Sequence, residues 1–162
     1  MNTIPVQYKI EDDRVGVAIP LPRYVDVGEP AGLDLRACVP AQTVLKPNES
    51  MLISTGIAVW INNPNYTLLL LPRSGLGHKR GIVLGNLVGL VDADYQGTLY
   101  VSIWNRSNED FTITPGDRIA QAVCVPVVRM ALEKVDEFNT KTVRGKGGFG
   151  STGLNGLLNI LS

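Results

Sequence analysis

The chain has 162 residues, enough for one domain that removes roughly two thirds of its unfolded-chain surface from water without a metal or disulfide staple. Fifteen basic and fifteen acidic side chains cancel, and neither sign gathers into a run, so no nucleic-acid or membrane-surface partner is expected and any anion must be held by local geometry. The N-terminus reaches Glu11, Asp12 and Asp13 before any long apolar run, and no stretch approaches ~18 apolar residues. No signal peptide or membrane span is therefore expected, and the location is read as cytoplasmic. Cys38 and Cys124 sit among apolar neighbours without paired spacing, which reads as two core thiols.

Short β-branched or aliphatic runs recur along the chain at 5–10, 50–54, 57–61, 67–71, 98–104, 111–114 and 119–128, punctuated by 17 glycines and 10 prolines. The pattern predicts an all-β sandwich, jelly roll or barrel. After the run 67–71, Pro72-Arg73-Ser74-Gly75-Leu76-Gly77 reads as a turn that exposes an arginine, a hydroxyl and backbone N–H groups, with room for one short helix. It is either an anion nest or a simple turn. The sole histidine, His78, lies beside Lys79 and Arg80 and reads as an exposed turn residue, and without a second histidine or a cysteine pair a protein-ligated zinc site is not expected.

Further along, Gly89-Leu90-Val91-Asp92-Ala93-Asp94-Tyr95-Gln96-Gly97 sets two carboxylates and an aromatic between apolar strands. On extended backbone Asp92 and Asp94 would share one face, opposite Tyr95. Such a pair could act as base and metal anchor or could simply cap a hairpin. Thr98 to Trp104 alternates clearly as a strand, and Thr114-Pro115-Gly116-Asp117 predicts a tight turn into the next one. The segment 144–153 (RGKGGFGSTG) is half glycine. Its Gly145, Gly147 and Gly150 spell a dinucleotide fingerprint, but no βαβ context follows. It reads instead as a strap, mobile until a ligand orders it, whose amides could wrap phosphate oxygens, or as a solvated tail.

Five segments together, AGLDLRA (31–37), PRSGLGHK (72–79), GNLVGLVDADYQG (85–97), GDRIAQ (116–121) and RGKGGFGSTG (144–153), resemble the ordered motifs of the trimeric dUTPase family, in the form found in bacterial housekeeping enzymes. The resemblance implies a jelly-roll-like β-clip or distorted barrel with at most one short helix, assembled as a homotrimer. It divides the chain into a β-rich domain, 1–141, and a flexible arm, 142–162, that closes a neighbouring active site. The implied reaction is Mg²⁺-assisted hydrolysis of dUTP to dUMP and pyrophosphate, which lowers dUTP and supplies dUMP for dTMP synthesis.

By the same resemblance, Asp92 orients a water for attack at the α-phosphorus, with Asn86, Leu90 and Val91 around the uracil in a hairpin from Asn86 to Tyr95. Tyr95 lies under the deoxyribose and excludes a 2′-hydroxyl, with Tyr100 near the substrate. Arg73, Ser74, Gly75 and Gln121 contact the phosphates. Arg144, Phe149, Gly150 and Ser151 come from the closing arm, with Phe149 over the base. No direct protein ligand to Mg²⁺ is implied; Asp34 steadies the site and reaches the ion through a water. The apolar extension Leu154 to Ser162 departs from the family pattern. Rival readings are the related dCTP deaminase, disfavoured because no glutamate lies between Glu49 and Glu109, a non-catalytic regulator, and a purely structural β trimer.

Overall fold

The computed structural model describes residues 3–25 and 27–148. Backbone contacts divide the chain into two units, Met1–Val128 and Arg129–Ser162. Among the described residues the first unit is built from ten strands and one short helix: β1 (Gln7–Ile10), β2 (Leu33–Arg36), β3 (Thr43–Leu45), β4 (Ser50–Trp60), β5 (Tyr66–Leu71), α1 (Ser74–Arg80), β6 (Ile82–Leu84), β7 (Gly89–Val91), β8 (Thr98–Asn105), β9 (Phe111–Ile113) and β10 (Arg118–Pro126). The jelly-roll-like all-β expectation with one short helix holds. Among the described residues no helix is long and apolar enough to cross a membrane.

Alternation explains the layers. In β8, Leu99, Val101 and Ile103 turn inward, while Tyr100 is exposed and Ser102 and Trp104 are half-buried on the other face. One sheet runs β1-β4-β8-β6, a second runs β2-β10-β5-β7, and β3 pairs with β9, with every pairing antiparallel. The core is a continuous cluster from both larger sheets and the β3–β9 pair, including Leu35, Leu45, Ile53, Ile57, Leu84, Ile103, Ile113 and Ile119. Burying each such side chain is worth about 1.5–3 kcal/mol relative to exposure.

Two sequence runs, 50–54 and 57–61, prove to be one strand. The register between β4 and β8 shifts between Ser54 and Ala58, and Gly56 sits inside that irregularity with φ +70°, where a side chain would also collide with Val15 and Cys38. The predicted turn at Thr114–Asp117 is present: the Asp117 amide donates to the Thr114 carbonyl, and the Thr114 amide donates to the Asp117 carboxylate.

A second irregularity positions the site. Between β10 and β2 the register slips by one residue between Arg118 and Ala120, so Ile119 and Ala120 are both buried in succession. Gln121 stands opposite Asp34 and Arg118 opposite Arg36. With a regular pleat Arg118 would alternate away from the face that carries Gln121; the extra residue returns it to that face.

The two cysteines part company. Cys38 is buried under the Asp12–Arg14 turn, whereas Cys124 is half-buried, because β10 leaves the core beyond Ala122. Burial pushes both thiols above their ordinary range, so neither is a ready nucleophile.

In the second unit, the described residues 129–148 form no strand or helix and are all exposed. Arg144 folds on its own loop, with Nε donating to the Gly147 carbonyl at 2.9 Å, and the Gly145 amide, at φ +52°, donates to Thr142.

Candidate active site

The segment after β5 does carry α1, with Arg73 as its extended N-cap residue (φ −85°, ψ 131°) and Gly81 closing it in the left-handed conformation. His78 therefore lies in the last helical turn with Lys79 and Arg80, exposed, where cations suit the helix C-terminus. That corrects its reading as a turn residue.

Arg73, Ser74, Gly75, Gln121 and Asp34 line one cleft of about 370 Å³, together with Val25 and the segment Pro30 to Gly32. They arrive from three separated stretches because β10 lies between β2 and β5, so that Gln121 is in register with Asp34 on one side and Leu71 on the other. Asp34 is the electrostatic centre of the group. Its side chain is only 12% exposed, and its two oxygens are held by Arg73 Nε at 2.9 Å and by Arg118 Nη1 at 3.1 Å. Two cations around one anion give a partly buried carboxylate the partners that desolvation demands. Arg73 Nη1 also donates to the Arg118 carbonyl at 3.4 Å. Gln121 Nε2 donates to the Pro72 carbonyl at 3.0 Å, tying β10 to the start of the Arg73 segment.

Leu90, Val91, Asp92, Tyr95 and Tyr100 line a second cleft of about 190 Å³, with Thr98 and Leu99. Among the described residues, none lines both clefts. β7 is anchored on β5, and Thr67 Oγ1 donates to the Val91 carbonyl at 2.7 Å. Residues 92–95 then form a turn in which the Tyr95 amide donates to the Asp92 carbonyl and the Asn62 amide donates to the Ala93 carbonyl. The chain here is a turn, so the strand alternation considered for Asp92 and Asp94 does not apply. Asp92 and Asp94 are exposed. Tyr95 folds back over its own chain, with its hydroxyl donating to the Thr98 carbonyl at 2.9 Å.

Asn86 is exposed in the turn after β6 and lines neither cleft. The segment Asn86–Tyr95 is not a two-stranded hairpin: β6 pairs with β8 in one sheet and β7 with β5 in the other, so the chain crosses between sheets at 85–88. Arg144 is exposed in the second unit, and Phe149, Gly150, Ser151 and the extension Leu154–Ser162 lie outside the described residues. Reading by residue type missed Arg118, although it stands inside the GDRIAQ segment. It also missed Gly32, where a side chain would collide with Gln121.

A family model described as dUTPase matches residues 19–153. The deoxyuridine 5′-triphosphate nucleotidohydrolase of Idiomarina loihiensis is 58% identical over 148 residues, covering 91% of this chain and 97% of that protein, and the Legionella pneumophila (strain Paris) protein of the same name is 57% identical over 148 residues, 91% and 96% of the two chains. Among solved structures, the Staphylococcus bacteriophage 80alpha dUTPase with dUPNHPP superposes with a TM-score of 0.81 at 30% identity, over 94% of this chain and all of that one. A mutant dUTPase from phage phi11 of S. aureus, described as revealing coordination of a structural Mg(II) ion, superposes with a TM-score of 0.72 at 26% identity, over 84% and 99%. The chain belongs to the dUTPase family of hydrolases.

Proposed function

We propose that this chain hydrolyses dUTP to dUMP and pyrophosphate with Mg²⁺, as a homotrimer in the cytoplasm, lowering dUTP and supplying dUMP for dTMP synthesis. The observation that carries the reading is the ordered arginine cleft: Arg73, fixed by Asp34 and flanked by Ser74, Gly75 and Gln121, offers guanidinium and amide donors to phosphate oxygens. The cleft beside β7 is lined by chain Leu90 to Asp92 and by Tyr95, which suits a base and a sugar better than a polyphosphate. At about 190 Å³ it is smaller than a complete small-molecule site of ~300–1,000 Å³. A trimer would complete it with the phosphate cleft of a neighbouring chain and with Arg144, Phe149, Gly150 and Ser151 from an arm at 142–162, leaving 1–141 as the β-rich domain.

In this mechanism Asp92 accepts a hydrogen bond from a water and directs it at the α-phosphorus. The water's proton passes to the carboxylate, the new P–O bond forms, and the bond to the β-phosphate oxygen breaks to release pyrophosphate. Arg73 and Gln121 hold the phosphates in line, so most of the acceleration comes from positioning and charge stabilisation. Leu90 and Val91 present backbone to the uracil, with the Asn86 side chain at its edge. Tyr95 lies against the sugar and Tyr100 beside it.

The donor set fits a Mg²⁺ that arrives on the nucleotide. Among the described residues no three His, Cys, Asp or Glu gather, and Asp34 already pairs with the Arg73 and Arg118 guanidinium groups. Each oxygen keeps a further acceptor position for a metal-bound water. The ion would neutralise phosphate charge as pyrophosphate leaves.

The test is pyrophosphate release from dUTP, UTP, dCTP and dTTP with Mg²⁺, for the wild type and Asp92→Asn. The expected result is release from dUTP alone, falling by about 10²–10⁴-fold in the variant. Ammonia from dCTP, or no release from any nucleotide, would overturn the reading.

A further inference from the structure

The Tyr95 ring is seated on a glycine. A methyl group placed on Gly97 would lie 2.5 Å from the Tyr95 hydroxyl oxygen, 2.7 Å from its Cζ and 3.1 Å from Cε2, all shorter than the ~3.5–4.0 Å of an ordinary carbon contact. Nothing in the backbone demands glycine there, since Gly97 lacks the left-handed φ that marks Gly56, Gly81 and Gly116. The absent side chain serves the tyrosine.

The ring is held from two further directions. Its hydroxyl donates to the Thr98 carbonyl at 2.9 Å, and its backbone is fixed by the turn hydrogen bond to Asp92. Thr98 opens β8, pairing with Ala58 of β4, so the carbonyl that receives the hydroxyl belongs to a sheet frame. The far edge of the ring therefore rests between Gly97 and Thr98, while Tyr95, 43% exposed, still lines the cleft beside Asp92.

We infer that Gly97 is a positioning residue that sets sugar specificity: by leaving room under the Tyr95 ring it fixes how deep the ring lies in the cleft, and hence whether a ribose 2′-hydroxyl fits. The inference rests on the proposed reading of dUTP as substrate. A side chain on Gly97 must displace the ring and break its bond to Thr98, because the atoms it meets are the outer end of the half-exposed Tyr95 side chain, which can swing away. The lifted ring no longer defines the sugar floor.

The test compares the affinities of the full-length protein for the non-hydrolysable analogues dUpNHpp and UpNHpp, in the wild type, Gly97→Ala, Tyr95→Phe, Tyr95→Leu and the Gly97→Ala/Tyr95→Leu double variant. Gly97→Ala is expected to lower the deoxyribose-over-ribose preference by about tenfold or more, with no further loss from adding it to Tyr95→Leu. Tyr95→Phe, which keeps the seat and loses only the bond to Thr98, is expected to lower the preference by a smaller factor. A smaller fall in Gly97→Ala, an unchanged preference in Tyr95→Phe, or additive losses in the double variant would overturn the inference while leaving dUTP as substrate. A wild type without any preference for the deoxyribose analogue would overturn it together with that reading.

Discussion

Asp34 and Arg73, 39 positions apart in the sequence, meet through a single Oδ1–Nε contact of 2.9 Å. The contact pairs the partly buried carboxylate with Arg73 on one oxygen, while Arg118 takes the other. If Arg73 holds phosphate as proposed, the Asp34 carboxylate helps aim it.

Asp34→Asn is expected to leave Arg73 and Arg118 adjacent without their anion. Since the two arginine side chains are 27% and 41% exposed, solvent relieves part of the repulsion, and the stability loss is expected near 1–2 kcal/mol, not the ~3–5 kcal/mol of a fully buried pair. The larger effect is on substrate: the KM for dUTP should rise about tenfold or more. Urea unfolding and steady-state kinetics on one preparation check both numbers, and an unchanged KM would remove Asp34 from the aiming role.

Gly32→Ala should act on Gln121. A methyl at Gly32 would collide with Gln121 Oε1 and fall 3.2 Å from its Cβ, so the side chain must rotate away and surrender its bond to the Pro72 carbonyl. The expected cost in stability is about 1–2 kcal/mol. The KM should rise several-fold (roughly 3–10). If kinetics match the wild type while a crystal structure shows Gln121 displaced, Gln121 is not a phosphate contact.

Asn105 is a structural lock, and its variant should separate stability from activity. It is fully buried, its amide donates to the Leu45 and Glu109 carbonyls, and its carbonyl accepts from the Ser107 amide and hydroxyl. Asn105→Ala strands those partners and should cost about 2–4 kcal/mol in urea unfolding. Turnover well below the melting temperature should stay near wild type, because Asn105 lies at the far end of β8 from Thr98.

The Asp12–Arg14 pair predicts a sign for acid stability. The Asp12 carboxyl lies well below its ordinary pKa of 3.8, first because the Arg14 side chain hydrogen-bonds it and then because the Arg14 backbone N–H does so. A depressed folded-state value means the unfolded chain binds the proton more readily. The pair's contribution is therefore present above about pH 4 and is lost as the pH falls below that toward the folded value. Asp12→Asn should be less stable than wild type at neutral pH, and the gap should narrow below about pH 4. A gap that is constant with pH would refute the linkage.

Much of the fold was legible because β8, β5 and β10 are long enough for alternation or apolar runs to show, and because Pro115-Gly116 leaves few choices for the chain. Strands of three residues, such as β3, β6 and β7, are shorter than two repeats of the pleat and carry almost no periodic signal. The Asp92–Tyr95 turn stayed open for a different reason. Ala93 and Asp94 are compatible with extended backbone locally, and it is the long-range bond from the Asn62 amide to the Ala93 carbonyl that helps hold them in a turn. In the site, residue types and motif order marked Arg73, Gln121, Asp92 and Tyr95, but the partnership of Asp34 with Arg118 depends on a register that spacing alone does not reveal.

The slipped register in β10 makes the interval between Arg118 and Gln121 a matter of parity. Ile119 and Ala120 can exchange for other apolar residues of similar size, since their task is to fill the interior, but their number is not free. Removing one would restore a regular pleat and send either the arginine or the glutamine to the wrong side of the sheet. Within this segment, a gap of one residue should be harder to accommodate than several substitutions, so indels here should be rarer in working variants than changes of side chain.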